Sequence, residues 1–160
     1  GATDLVERCR KHPLYRAMRP GRMTYIALEQ TLRIYLCGED EAIARIPALQ
    51  RVLAAPEELD GRLTQLIEGL VAIAGVCAEG ISHDGFAGSG SLPARPIESR
   101  AARIEVSGCN AQELARLLRT GDPAILPTIH NESVHIDVRT ITDEEVELIT
   151  ARIAEITNRT

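Results

Sequence analysis

Ile125-Leu126-Pro127-Thr128-Ile129-His130-Asn131-Glu132-Ser133-Val134-His135-Ile136-Asp137-Val138 reads as two short apolar strands around a polar turn, and the residues after it read as a helix start. β-Branched side chains fill both runs, so residues 125–129 and 134–138 are predicted to form a hairpin turning at His130-Asn131-Glu132. Thr142 then caps a helix, Glu145 closes a capping box, and Ile141 can staple onto Val146. Along that helix Val146, Ile149, Ile153 and Ile156 recur at helical spacing and are expected to face the sheet. Antiparallel strands followed by an amphipathic helix specify an α+β class, with helices on a small antiparallel sheet.

Upstream the same alternation continues. Ala102, Ile104 and Val106 interleave with Arg103 and Glu105, the pattern of a half-exposed strand. A helix should start at Asn110, with Glu113 reaching back to the cap, and stop at Gly121. Residues 76–96 are rich in glycine and serine and predict a weak strand over 77–82, a turn at His83-Asp84-Gly85 and an irregular strand over 88–92. Gly88-Ser89-Gly90-Ser91 would cradle a phosphate only if a helix opened directly behind it, and none is predicted there. Pro56 opens a long helix predicted to run to about Cys77, with Leu59, Leu63, Leu66, Ile67, Leu70 and Ala74 on one face. A short helix over 40–46 should end near Pro47, and a helix over 23–37 should lie between the Pro20-Gly21 break and Gly38, linking residues 1–38 to a second part over 39–160.

The chain has 160 residues, 44% of them hydrophobic, enough for one sizeable aliphatic core. Tyr15, Tyr25, Tyr35 and Phe86 are the only aromatics, and three of the four lie in the first 35 positions, as expected of a segment that packs on neighbours. Residues 1–22 carry six basic side chains against Asp4 and Glu7, a net +4 within a total of −5, so the remainder is strongly acidic. Nucleic-acid affinity rests on cations that displace counterions from phosphates, which makes the acidic body a poor candidate for an autonomous nucleic-acid platform and leaves only the opening segment to contribute. Cys9, Cys37, Cys77 and Cys109 have no zinc-type spacing and read as reduced thiols. No apolar run reaches membrane-span length and no secretory signal is visible, so a cytosolic enzyme is expected.

Two constellations carry possible chemistry. Arg16, Arg19 and Arg22 fall at three-residue intervals around Pro20-Gly21, so their planar forks could converge on a phosphate or carboxylate; composition alone favours a solvated basic turn. His135, Asp137 and Arg139 alternate onto one strand face and could orient one another. The favoured reading is the solvent side of a strand whose other face, Val134, Ile136 and Val138, is core. His12 and His83 read as loop and turn residues, and Asp122 as a turn former before Pro123.

Several separated motifs resemble those of bacterial selenocysteine synthase, the L-seryl-tRNA(Sec) selenium transferase. His12 to Leu14, Arg16 to Arg19, Arg22 to Thr24 and Ala27 to Arg33 are similar to that family's His-Pro-Leu, Arg-Ala-x-Arg, Leu/Met-Thr and Ala-Leu-Glu-x-Thr-Leu-Arg run. Gly88 to Pro93, Leu118 to Pro123 and Asp137 to Thr140 resemble its Gly-Gly-Gly-Ser-Leu-Pro, Leu-Arg-x-Gly-Asp-Pro and Asp-Leu-Arg-Thr. The resemblance implies a fold-type I pyridoxal 5′-phosphate enzyme that converts seryl-tRNA(Sec) to selenocysteinyl-tRNA(Sec) with selenophosphate, in ring-like assemblies of dimers. It further implies that residues 1–38 end the large domain and that residues 39–160 form the C-terminal small domain. The family's cofactor lysine lies in a Ser-Gly-Asp-Lys context upstream of His-Pro-Leu. Lys11, the only lysine, does not match it, so the chain is expected to be the C-terminal portion of a longer enzyme and inactive alone. Arg16 and Arg19 are implied to bind selenophosphate or the tRNA end, and Arg139 a substrate carboxylate. A paralogous enzyme acting on an amino sugar phosphate or an amino acid, and a non-catalytic interaction module, are the alternatives.

Overall fold

The computed structural model describes residues 1–88 and 95–158. They form an α+β protein with a four-stranded antiparallel sheet, and the chain divides into two compact units, residues 1–49 and 50–160. The expected boundary at residue 38 falls at the turn where Gly38 adopts φ +113°.

The first unit is helical. Its elements are α1 (Thr3–Lys11), α2 (Leu14–Ala17), α3 (Arg22–Leu36) and α4 (Glu39–Arg45), and α3 and α4 lie where helical periodicity places them. The helix α1 was not expected, because its apolar positions are few. Ile46 is extended before Pro47, as the ring of a following proline requires. Pro47 does not end the helical region, however: it opens α5 (Pro47–Leu53), since a first-turn proline gives up an N–H that has no helical partner anyway.

In the second unit Pro56 opens α6 (Pro56–Val71), whose Leu59, Leu66 and Leu70 are fully buried. Each such leucine contributes about 1.5–3 kcal/mol of burial. The helix stops short of Cys77, because Gly75 turns the chain through φ +83° into β1 (Val76–Gly85). β1 pairs along its full length with β2 (Ile97–Val106), from Val76 opposite Val106 to Gly85 opposite Ile97. His83, Asp84 and Gly85 are therefore strand residues and not a turn; the ladder of the partner strand outweighs their turn propensity. Residues 89–94 of the predicted irregular strand, with most of the glycine-serine tract, lie outside the described residues.

Asn110 caps α7 (Ala111–Arg119) by accepting the Glu113 N–H at 2.9 Å, while the Glu113 carboxylate turns to Arg116 instead of reaching back. β3 is only Thr128–His130, shorter than predicted: Pro127 has no N–H for a ladder, and Ile125 donates its N–H to Leu118. β4 (Ser133–Asp137) completes the sheet in the order β1-β2-β4-β3. Val138 and Arg139 leave the strand in a 3-10 turn, Val138–Thr140. The capping box of α8 (Asp143–Thr157) forms in full, and Val146, Ile149, Ile153 and Ile156 are buried as expected. α6, α7 and α8 share one core with Ala102, Ile104 and Val106 of β2 and with Val134 and Ile136 of β4. No helix among the described residues is long and apolar enough to cross a membrane.

The β3–β4 turn places Asn131 and Glu132 at φ 46° and 61°, a left-handed pair matched to the twist of a two-residue hairpin. Glutamate lacks asparagine's tolerance for that region. Glu132→Gly should therefore stabilise the protein by about 0.5–1 kcal/mol, the relief of left-handed strain net of glycine's entropy. Equilibrium urea unfolding measures it, with an unchanged m-value expected.

Candidate functional site: an unpaired arginine segment

His12 caps the C-terminus of α1 in extended conformation before Pro13, and its Nδ1 accepts the Leu14 N–H at 3.3 Å. α2 is a single turn carrying Arg16; Arg19 follows it, and Arg22 opens α3 after Pro20-Gly21. All three arginines are exposed. None of them, nor Arg8 or Lys11, has an ion-pair partner among the described residues. In the second unit, by contrast, Arg62, Arg100, Arg103, Arg116 and Arg152 each hold a carboxylate at 2.7–3.0 Å. Arg19 lines a cleft of about 500 Å³ with His12, Tyr15, Met18 and Tyr25, whereas Arg16 and Arg22 are not among its lining residues. An unpaired fork beside two exposed phenol rings can take an anion and stack a planar group against it.

α1, α2 and α3 bury no residue, and Leu14, Tyr15, Met18, Met23, Leu28 and Leu36 are all exposed. Lys11 closes α1 beside Arg10, exposed, with no glycine loop before it. Pyridoxal phosphate needs an enclosed amine and a backbone cradle for its phosphate, and the described residues do not fit it.

The strand constellation has a different geometry from the predicted one. Ser133, His135 and Asp137 lie on the sheet face opposite the helices, yet His135 is 6% exposed and Ser133 is 2% exposed, so both faces of β4 are covered. The His130 ring packs edge-on at 5.8 Å from His135, and Ser133 Oγ lies 3.2 Å from its Nε2. Burial pushes the His135 pKa down, with help from His130, His83 and Arg103.

Arg139 is buried in the 3-10 turn, off the strand. Its Nη1 donates to the carbonyls of Arg51 at 2.7 Å, Val52 at 3.3 Å and Ala54 at 3.0 Å, and its Nη2 donates to Glu98. Its Nε is buried without a partner among the described residues. The guanidinium thus closes the C-terminal end of α5 and ties it to the start of β2, where a cation meets the helix dipole favourably. Sequence reasoning missed Ser99, which is fully buried and donates to Asp137 Oδ1 at 2.6 Å. Carrying the period-two alternation of β2 back beyond Ala102 would have placed it on the Asp137 face.

The family described as L-seryl-tRNA selenium transferase matches residues 1–142. Curated proteins named L-seryl-tRNA(Sec) selenium transferase align along most of the chain. The one from Hyphomonas neptunium is 30% identical over 159 residues, covering 99% of this chain and 34% of the relative. The one from Carboxydothermus hydrogenoformans is 33% identical over 149 residues, 92% of this chain and 31% of the relative. That from Moorella thermoacetica is 36% identical over 149 residues, covering 92% and 32%. The chain spans about a third of the length of these relatives.

Two outcomes test the assignments in the second unit. Arg139→Met leaves several carbonyls without a donor and should cost about 3 kcal/mol in urea unfolding. His135 has a folded pKa below its unfolded value, so below roughly pH 6.5 the unfolded chain takes up the proton first and stability falls with acidification. His135→Gln should flatten that fall relative to the parent chain, measured as unfolding free energy against pH.

Proposed function

The chain belongs to the L-seryl-tRNA selenium transferase family, and we propose from that membership that it is the C-terminal portion of a pyridoxal-phosphate enzyme converting seryl-tRNA(Sec) to selenocysteinyl-tRNA(Sec) with selenophosphate. The observation that carries the site assignment is the set of unpaired cations on the segment that bears the family's arginine motif. Arg16 and Arg19 bind an anionic reactant, either selenophosphate or the phosphate backbone at the tRNA end. Holding that charge lets two anionic reactants approach each other, and the bidentate fork fixes the reacting oxygen or selenium in direction as well as distance. Tyr15 and Tyr25 beside Arg19 supply stacking surface for a planar group.

Lys11 does not suit the cofactor, so the cofactor lysine belongs to the part of the longer enzyme that this chain does not span. By the same family reading the whole enzyme is cytoplasmic and assembles as a ring of dimers, and residues 1–160 alone transfer no selenium. Arg139 would reach a reactant only by leaving the carbonyls of α5 and β2.

In the full-length enzyme, Arg16→Ala and Arg19→Ala should each lower selenium transfer by about tenfold or more, roughly 1.4 kcal/mol, with cofactor content unchanged. Lysine at either position should restore part of the rate, since a point charge lacks the fork. Full activity in both alanine variants would reduce the segment to a basic turn. An equal rate loss in Arg139→Lys, with melting temperature unchanged, would move the anion contact to Arg139.

A further inference from the structure

The helix-free face of the sheet holds a second cleft, of about 620 Å³, within the range of small-molecule sites. Asp137 lies in its wall with a side chain only 17% exposed. The two carboxylate oxygens differ. Oδ1 accepts from the buried Ser99 hydroxyl at 2.6 Å and from the Arg139 N–H at 2.9 Å, which fixes the carboxylate in orientation. Oδ2 accepts no hydrogen bond from any described residue, and the His83 imidazole lies beside it with Nε2 at 3.9 Å. Gly85 keeps Oδ2 uncovered: a Cβ there would sit 3.2 Å from it.

We infer that this cleft binds the ammonium group of a small organic cation, a primary amine on a short apolar or aromatic body, with Asp137 Oδ2 as its acceptor. An oriented, largely desolvated carboxylate whose second oxygen lacks a donor calls for one, and a charged N–H donor gives the short, strong bond. The nearby arginines are already taken, Arg100 by Asp60 and Glu98 and Arg103 by Glu79 and Glu105. A metal ion is a poor alternative, since among the described residues no three histidine, cysteine or acidic side chains converge. The second unit carries ten basic against seventeen acidic side chains, so its field concentrates cations and repels anions. Phe86 and Leu126, both exposed on the cleft, supply apolar surface for the body of the ligand, and the phenyl face also attracts an ammonium.

The test uses the complete 160-residue chain, with benzylammonium as the probe and benzyl alcohol as its uncharged counterpart, read by calorimetry and by histidine and backbone shifts in NMR. Asp137→Asn is the informative variant, because the amide oxygen can still accept from Ser99 and Arg139 while its NH₂ replaces the free acceptor. Benzylammonium should bind the parent chain and shift the His83 resonances. It should bind Asp137→Asn about tenfold or more weaker, and Gly85→Ala, whose methyl crowds Oδ2, should weaken it as well. Benzyl alcohol should bind weakly and equally to parent and Asp137→Asn. Equal binding of the ammonium to parent and Asp137→Asn, or of alcohol and ammonium to the parent, would overturn the inference, as would shifts confined to residues away from His83.

Discussion

A helix end leaves carbonyls that no residue of the same helix can satisfy, and in this protein the guanidinium of Arg139 takes on that task for α5. The same group reaches Glu98, at the start of the sheet's longest pairing, so one planar fork joins residues 51–54 to β2. Its own backbone N–H is held by Asp137, whose other donor is Ser99 of β2. Strand, 3-10 turn and helix end thus share one hydrogen-bonded network, and a change in any member is felt by the others. The hydrophobic core of α6, α7 and α8 gives the second unit its stability, and this network sets where the core's edge lies.

Features whose physics is local were legible in the sequence. The Thr142–Glu145 capping box, the Asn110 cap and the stop at Gly38 involve residues a few positions apart, and each forms where expected. Pro47 and Pro56 show the limit of that logic: the same residue type is compatible with ending one helix and opening the next, and only the downstream residues decide between them. The turn expected at His83 to Gly85 was overruled by pairing to a strand whose first residue is Ile97, information that no local window holds.

Burial was the harder quantity to read. Alternation correctly put His135 and Asp137 opposite the core residues of β4, but it equated that face with solvent, whereas Ser133 and His135 are enclosed by neighbouring strands and a second imidazole. Arg139 was equally opaque, since its partners lie 41 to 88 positions away in the chain. Arg16, Arg19 and Arg22 were legible for the opposite reason: residues 1–22 hold only Asp4 and Glu7 against six basic side chains, and Glu7 pairs with Arg10, so composition alone exposes the surplus of charge. Arg62, Arg100, Arg103, Arg116 and Arg152 of the second unit are neutralised by carboxylates, whereas Arg16, Arg19 and Arg22 keep their charge exposed.

The sheet's strand order has a consequence for solution behaviour. β3, at one end, is three residues long, while β1, at the other, offers ten residues whose outer edge no strand pairs among the described residues. A long open edge is a template for strands of other molecules. Here it carries Glu79 and Asp84, so a second copy laid along it would bring carboxylates into the same ladder. The acidity that makes this unit a poor surface for phosphates also guards it against edge-to-edge aggregation, and that protection would weaken at high ionic strength or at a pH low enough to discharge the carboxylates.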